Sequence, residues 1–320
     1  MADLLTIGEP LALFASTEDG VSLADAEHFK KYLAGAEVNV AMGCVRLNHS
    51  VTYLTQLGAD PLGNFALREM KDAGIDAQYI TQTPNFATGV EFKARNSAGD
   101  PDTYYLRKNS AASHYTPELI DDSVFSKVKI AHLTGIFSAL SDDSLATIKA
   151  LIKKLQALHI PISFDPNLRP ALWNNHQHMI ETLNELAAAS TIVMPGSNEG
   201  LSLVGSEDPK VISKFYFDQS PLMQVVIVKL GPAGAFVQTR KNDGTFISGF
   251  RVDQVVDTVG AGDGFAVGVL TGLLDGLSLE AAVKRGTAIG ALAVQTPGDH
   301  DGYPTVHELN QFMTQDNSQY

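Results

Sequence analysis

Late in the chain stands Asp257-Thr258-Val259-Gly260-Ala261-Gly262-Asp263-Gly264-Phe265, and an apolar run continues from it to Leu274. Gly260, Ala261 and Gly262 let the backbone turn sharply, so several N–H groups can face one point where a helix begins. Unpaired amides and the positive end of the helix dipole make such a point attractive to phosphate. A carboxylate there, Asp263, is poorly suited to holding phosphate but well placed to take a proton beside it. Together they suggest a hydroxyl losing its proton while it attacks a phosphoryl group. The plainer alternative is a tight turn with a capping aspartate. A dinucleotide fingerprint is excluded because Phe265 stands where the third glycine should be, and no Gly-Lys-Ser/Thr completes a Walker loop.

Around this motif, strand-length apolar runs alternate with helix-period segments. Leu4–Gly8, Val51–Leu57, Ile130–Thr134, Ile162–Asp165, Thr191–Met194 and Val225–Lys229 are expected to be buried strands. Pro61–Ala73, Ser141–Leu158 and His176–Ala188 carry helical spacing, with Pro61 and Ser141 as helix starts. Two helices broken near Gly276 are expected between Gly260 and Gln295, and a last one over Thr305–Met313. This alternation predicts a mostly parallel sheet covered on both faces. Leu11–Tyr32 and Gly89–Arg107 break the pattern. They predict a small antiparallel sheet standing off the main body, with a turn at Gly99-Asp100-Pro101.

The 320 residues are 44% hydrophobic and 18% charged, with 27 glycines, values that fit a compact chain rich in turns. Net charge is −13 and no basic run occurs, so neither nucleic acid nor an anionic membrane is an expected partner. Cys44 is the sole cysteine, which excludes an internal disulfide and suits a reducing interior. Met-Ala-Asp-Leu-Leu lacks the features of a signal peptide and no apolar run reaches membrane-spanning length, so a cytoplasmic location is expected.

The nine-residue string resembles the C-terminal signature of the ribokinase-like (PfkB-type) carbohydrate kinases, and the likeness extends from Gly8 to the final helix. It implies one three-layer α/β domain over 1–320, with a β lid from about 11–34 and 88–110. Asp263 would be the catalytic base, and Gly260, Ala261 and Gly262 the anion hole. The loop Lys229-Leu-Gly231-Pro-Ala-Gly234 matches the family's ATP-facing turn, although an ordinary hairpin has the same composition. Thr258, Thr287 and Ala291 match further nucleotide-side positions. Glu199 aligns with a family glutamate that meets magnesium through water, while Gly196 stands at the usual Asn position and Asn198 is left between a site role and a helix cap. Asp257 could serve the metal shell or a loop for a monovalent cation such as potassium.

At the other end, Gly35-Ala36-Glu37-Val38-Asn39 is similar to the family's sugar signature. Arg169, in Asp165-Pro-Asn-Leu-Arg-Pro-Ala-Leu-Trp173, would face the sugar with Tyr105, Arg107 and Lys108 from the lid. Guanidinium forks match a planar carboxylate, so Tyr105, Arg107 and Arg169 point to an acidic sugar. Gly-Ala-Glu-Val-Asn and Gly298-Asp-His-Asp-Gly302 resemble the 2-keto-3-deoxygluconate kinase branch. Glu91 departs from it, standing where that branch has a tyrosine, and would repel an acid unless paired with Lys93 or Arg107. A neutral-sugar kinase such as a fructokinase, and a non-catalytic sugar or nucleotide sensor, are the alternatives. The exposed lid strands suggest a homodimer.

Overall fold

A computed structural model describes residues 2–95, 102–296 and 298–316. Its strands, in chain order, are β1 (Leu4–Ile7), β2 (Leu11–Asp19), β3 (Phe29–Ala34), β4 (Val51–Gly58), β5 (Ile80–Thr83), β6 (Val90–Arg95), β7 (Thr103–Leu106), β8 (Ile130–Thr134), β9 (Ile162–Asp165), β10 (Ile192–Val193), β11 (Val225–Lys229), β12 (Gly234–Thr239) and β13 (Thr245–Ser248). Nine form one sheet in the order β13-β12-β11-β10-β9-β8-β1-β4-β5. From β11 to β5 all neighbours run parallel, while β12 and β13 are antiparallel at one edge.

Alternate residues of each strand feed opposite faces, as the period of two requires. Leu4, Tyr53, Ile227 and Val237 join a core covered by the helices Ala36–Arg46, Ala261–Leu274 and Leu279–Ala293. Leu5, Leu54, Val226 and Phe236 join the opposite core, under Asp142–Ala157, His176–Ala188 and Pro209–Gln219. The result is the expected three-layer α/β sandwich.

The helix Ala261–Leu274 is enclosed by its neighbours, and its residues from Gly264 to Gly272 are buried. It comes close to Leu279–Ala293 because Gly268 faces Gly286: a Cβ on Gly268 would lie 2.5 Å from the Gly286 Cα. Small residues on both sides are therefore a packing requirement.

The lid is a separate four-stranded sheet in the order β3-β2-β6-β7. One pairing corrects the expectation of an antiparallel sheet, since β2 and β6 run parallel. No hairpin joins them; the chain passes through the main body between the two strands, so antiparallel pairing is not imposed. The expected turn at Gly99-Asp100-Pro101 lies outside the described residues. Strand Thr191–Met194 shrinks to Ile192–Val193, and β5 and β13 were not anticipated, being short and half polar.

The chain reverses its order across the sheet between β1 and β8: β4 and β5 lie on one side of β1, and β8 to β11 on the other. Beyond the carboxyl ends of parallel strands at such a reversal a crevice opens, and ligands settle there.

Candidate active site

A cavity of about 1010 Å³ opens at that reversal, between the lid and the sheet. Its volume is at the upper end for one ligand and suits two substrates meeting. Glu9, just past β1, and Ile136, just past β8, line it together with Gly35, Ala36, Asn39, Glu91, Tyr105, Arg107, Arg169, Glu199, Lys229, Gly231, Thr258, Gly260, Gly262 and Asp263. The two sequence segments that matched a sugar signature and an anion hole, far apart in the chain, face the same space.

Gly260 adopts a left-handed φ of 81°, and a Cβ there would run into the Asp299 carbonyl, so no other residue fits. The buried Tyr303 hydroxyl donates to the Gly260 carbonyl at 2.6 Å and fixes the turn. At the helix start, the Gly264 amide bonds to Gly260 O, whereas no protein acceptor takes the amides of Gly262 and Asp263 among the described residues. Those amides are the free donors of a helix N-terminus, and Gly262 is exposed to the cavity.

Asp263 sits in the first turn of that helix. Asn39 Nδ2 donates to its Oδ2 at 2.8 Å, and Asn167 Nδ2 lies 3.3 Å from its Oδ1. His300 Nδ1 meets Asn39 Oδ1 at 3.1 Å, and burial pushes that imidazole down to about 4. A neutral imidazole that donates from Nδ1 therefore fixes which way the Asn39 amide points. Loss of water raises the Asp263 carboxyl to about 7, with the nearby Asp165 charge adding to it and the Asn39 bond opposing. A carboxylate with a proton affinity near neutrality is well matched to accept a proton from an alcohol.

Lys229 is closer to the chemistry than its loop suggested. Its ammonium is 2.6 Å from Asp165 Oδ2 and lies beside Gly262, the residue whose free amide faces the cavity. Gly231 lines the cavity with it, but Gly234, Thr287 and Ala291 do not. Gly234 is held in the β12–β13 hairpin, where a Cβ would strike the Ile247 carbonyl. The Thr287 hydroxyl turns back onto the Lys284 carbonyl of its own helix. Ala261 opens the helix without lining the cavity.

Glu199 uses both oxygens on backbone amides, Leu168 at 2.7 Å and Gly196 at 2.6 Å. It caps the helix Ser197–Val204 and ties it to the loop bearing Asn167 and Arg169. Among the described residues no group of three His, Cys, Asp or Glu could hold a metal by itself. Asn198 lines the cavity while its Oδ1 accepts the Glu199 amide.

The sugar end corrects one expectation. Arg107 was expected to be free for a substrate carboxylate, but Glu9 holds it through two contacts, Nε at 2.7 Å and Nη2 at 2.5 Å. Glu9 is almost wholly buried, and without that guanidinium its charge would be isolated. Arg169 is different: it is exposed over the cavity, no carboxylate pairs with it among the described residues, and its Nη1 reaches only its own neighbour's carbonyl, that of Leu168. Glu91 stands opposite Tyr105 in the lid register. Burial and the Asp299 charge raise its carboxyl to about 7. Glu37, bonded to Thr134, is raised to about 7 by burial as well.

Glu9, Glu37, Asp165, Asn167, Asp299 and His300 received no role from the sequence. Glu37, Asp165, Asn167, Asp299 and His300 lie inside the motifs quoted above, whereas Glu9 stands outside them, an acid just past the first strand. Tertiary contacts alone show what each of them touches.

A buried carboxylate beside free helix-terminal amides, at the reversal point of a parallel sheet and beneath a lid, fits a kinase acting on a small hydroxylated molecule. The comparisons agree. Residues 1–306 match the model of the pfkB family carbohydrate kinases, and the chain belongs to that family. It is 42% identical to the 2-dehydro-3-deoxygluconokinase of Bacillus subtilis (strain 168), over 98% of this chain and 95% of that one. The crystal structure of a PfkB protein from Polaromonas sp. JS666 superposes with a TM-score of 0.89 at 39% identity, covering 97% of this chain and 99% of that chain. An uncharacterized sugar kinase from Pyrococcus horikoshii, solved in complex with ATP, superposes with a TM-score of 0.83 at 27% identity, covering 96% and 97%.

Proposed function

We propose that this carbohydrate kinase transfers the γ-phosphoryl group of ATP to the terminal hydroxymethyl of a sugar acid, 2-keto-3-deoxygluconate, giving its 6-phosphate. The observation that carries the substrate is Arg169, a guanidinium over the sugar end with no protein carboxylate on it. Such a fork pairs bidentately with a planar carboxylate and has little to offer a neutral ketose. The likeness to the B. subtilis enzyme supports the same substrate. Burial and the Asp299 charge favour the protonated form of Glu91, and a protonated carboxyl can donate to the acid.

In the transfer, an Asp263 oxygen takes the hydroxyl proton as the alcohol oxygen bonds to the γ-phosphorus. The bond from that phosphorus to the bridging oxygen breaks, and ADP leaves with the electron pair. The amides of Gly262 and Asp263, with the Lys229 ammonium, face the charge on the moving group. Glu199, which lines the cavity, would hold through water a magnesium ion arriving on the triphosphate, and that ion would shield the phosphate charge. Asn39 and Asn167 orient the base, and the lid excludes water.

A panel of sugars with coupled ADP detection tests the assignment. The expected outcome is a kcat/KM for 2-keto-3-deoxygluconate on the order of a hundredfold above that for fructose. The acid-rich lining of Glu9, Glu37, Glu91 and Asp299 suits neutral hydroxyls, so a preference for fructose would establish a fructokinase instead. Binding without turnover would leave a sensor. A cytoplasmic location goes with this role, as does a homodimer through the lid, whose edge strand β7 leaves Tyr104 and Leu106 exposed.

A further inference from the structure

Lys93 sits on lid strand β6 and does not line the cavity, yet its side chain is only 8% exposed. Its ammonium lies 2.7 Å from Asp257 Oδ2 and 3.6 Å from Asp299 Oδ1. The second oxygen is buried with no hydrogen-bond partner, so Lys93 is the charge that faces it. These two aspartates flank the glycine turn. Asp257 Oδ1 accepts the Val259 amide at 3.0 Å, which shapes the approach to Gly260. The Asp299 carbonyl packs against the Gly260 α-carbon so closely that a Cβ would collide with it. Two residues before Lys93 on the same strand, and on the same lid face, Glu91 lines the sugar end.

We propose that Lys93 is a positioning residue for phosphoryl transfer: its ammonium is a tethered cation that clamps Asp257 and Asp299 around the anion hole and joins the lid strand to the turn. Asp257, a candidate for a monovalent-cation loop on sequence, here holds a cation that the chain itself supplies. The half-buried Asp257 and the buried Asp299, on either side of Gly260, would otherwise repel each other and push the turn apart. The carbon stem of Lys93 spans from the lid to the turn, so the alcohol and the phosphoryl group are held in one frame. No bond is made or broken at Lys93, and its effect on the reaction passes through the amides of Gly262 and Asp263.

The role of Lys93 rests on the phosphoryl-transfer function above, and its test includes a readout independent of activity. In Lys93→Met, kcat is expected to fall about tenfold or more while the KM for the sugar stays within about threefold, as a misplaced site rather than a lost contact requires. Ammonium or potassium chloride at 100 mM or so should recover much of that loss relative to equal sodium chloride, beyond any salt response of the unaltered enzyme; Lys93→Arg should retain more activity than Lys93→Met. Hydrogen exchange at the amides of 257–264 should quicken in Lys93→Met and slow again with the same cations. If Lys93→Met prevents folding, Lys93→Gln, which keeps a donor toward the two acids but no charge, is read in the same way. Unchanged kcat and unchanged exchange in either variant would overturn the proposal. So would a lost kcat that neither cation nor arginine restores, since that marks plain structural damage. An unaltered enzyme that turns over no sugar would instead overturn the function, with the exchange result still deciding the clamp.

Discussion

At the scale of single residues, the site divides into groups that touch substrate and groups that hold them. Asp263 is proposed for the first. Asp263→Asn keeps the size and one of the two bonds accepted from Asn39 and Asn167 but cannot accept the proton, so kcat should fall by about 10²–10⁴ with sugar binding little changed; steady-state kinetics with isothermal titration check both. Because its carboxyl is raised to about 7, mainly by lost hydration, kcat at saturating sugar should climb as pH rises through 7 and level off above it. A profile flat from pH 5.5 to 8.5, measured with coupled ADP detection, would remove Asp263 as the base. Arg169→Ala should weaken a sugar acid by about tenfold or more and a neutral ketohexose hardly at all; equal losses would make it an ordinary surface charge. The sequence made Asp263, Asn39 and Arg169 legible because each lies in a contiguous motif. It could not show that Arg107 belongs to Glu9, since their pairing spans 98 positions and depends on where the lid lands.

At the scale of elements, regular periods were easy to read and edges were not. The helix His176–Ala188 was anticipated to its ends because Asn175 caps it and its apolar spacing is regular. The break near Gly276 is real: the helices end at Leu274 and resume at Leu279, with Gly276 left-handed at φ 76°. Strands β5 and β13 escaped notice because edge strands bury little and so carry a weak alternation. The pair of helices following the glycine turn makes a sharp prediction. Gly268→Ala places a methyl group against the Gly286 backbone, and overpacking of this kind costs about 1–3 kcal/mol. Thermal melting should show a lower midpoint, and Gly286→Ala should behave alike. A variant melting with the unaltered protein would mean that the two helices can part without penalty.

At the scale of the whole molecule, buried acids set the response to pH. Glu37, Glu91 and Asp263 are each raised to about 7 in the folded chain, chiefly by burial, against ordinary values near 4 when unfolded. Protonated, they favour the fold, so their contribution is complete below the ordinary carboxyl range and is lost as pH rises through 7. His132 and His300, pushed down by burial to about 3 and about 4, act oppositely and mainly below pH 6.5. Between pH 6.5 and 8 the carboxyls dominate, and stability should fall by about 1–2 kcal/mol, with self-repulsion at net charge −13 acting in the same direction. Chemical denaturation across that range measures it; a rising stability would show that these acids are ionised in the fold. The enzyme thus gains turnover over the same interval in which it loses robustness. The division between sheet and lid has a different consequence. Asp263 rides on a helix packed into the sandwich, whereas Glu91 and Tyr105 hang from the lid strands β6 and β7. Lid side chains can therefore be exchanged without disturbing the packing that carries Asp263, in the way a lathe takes a new chuck without a new motor.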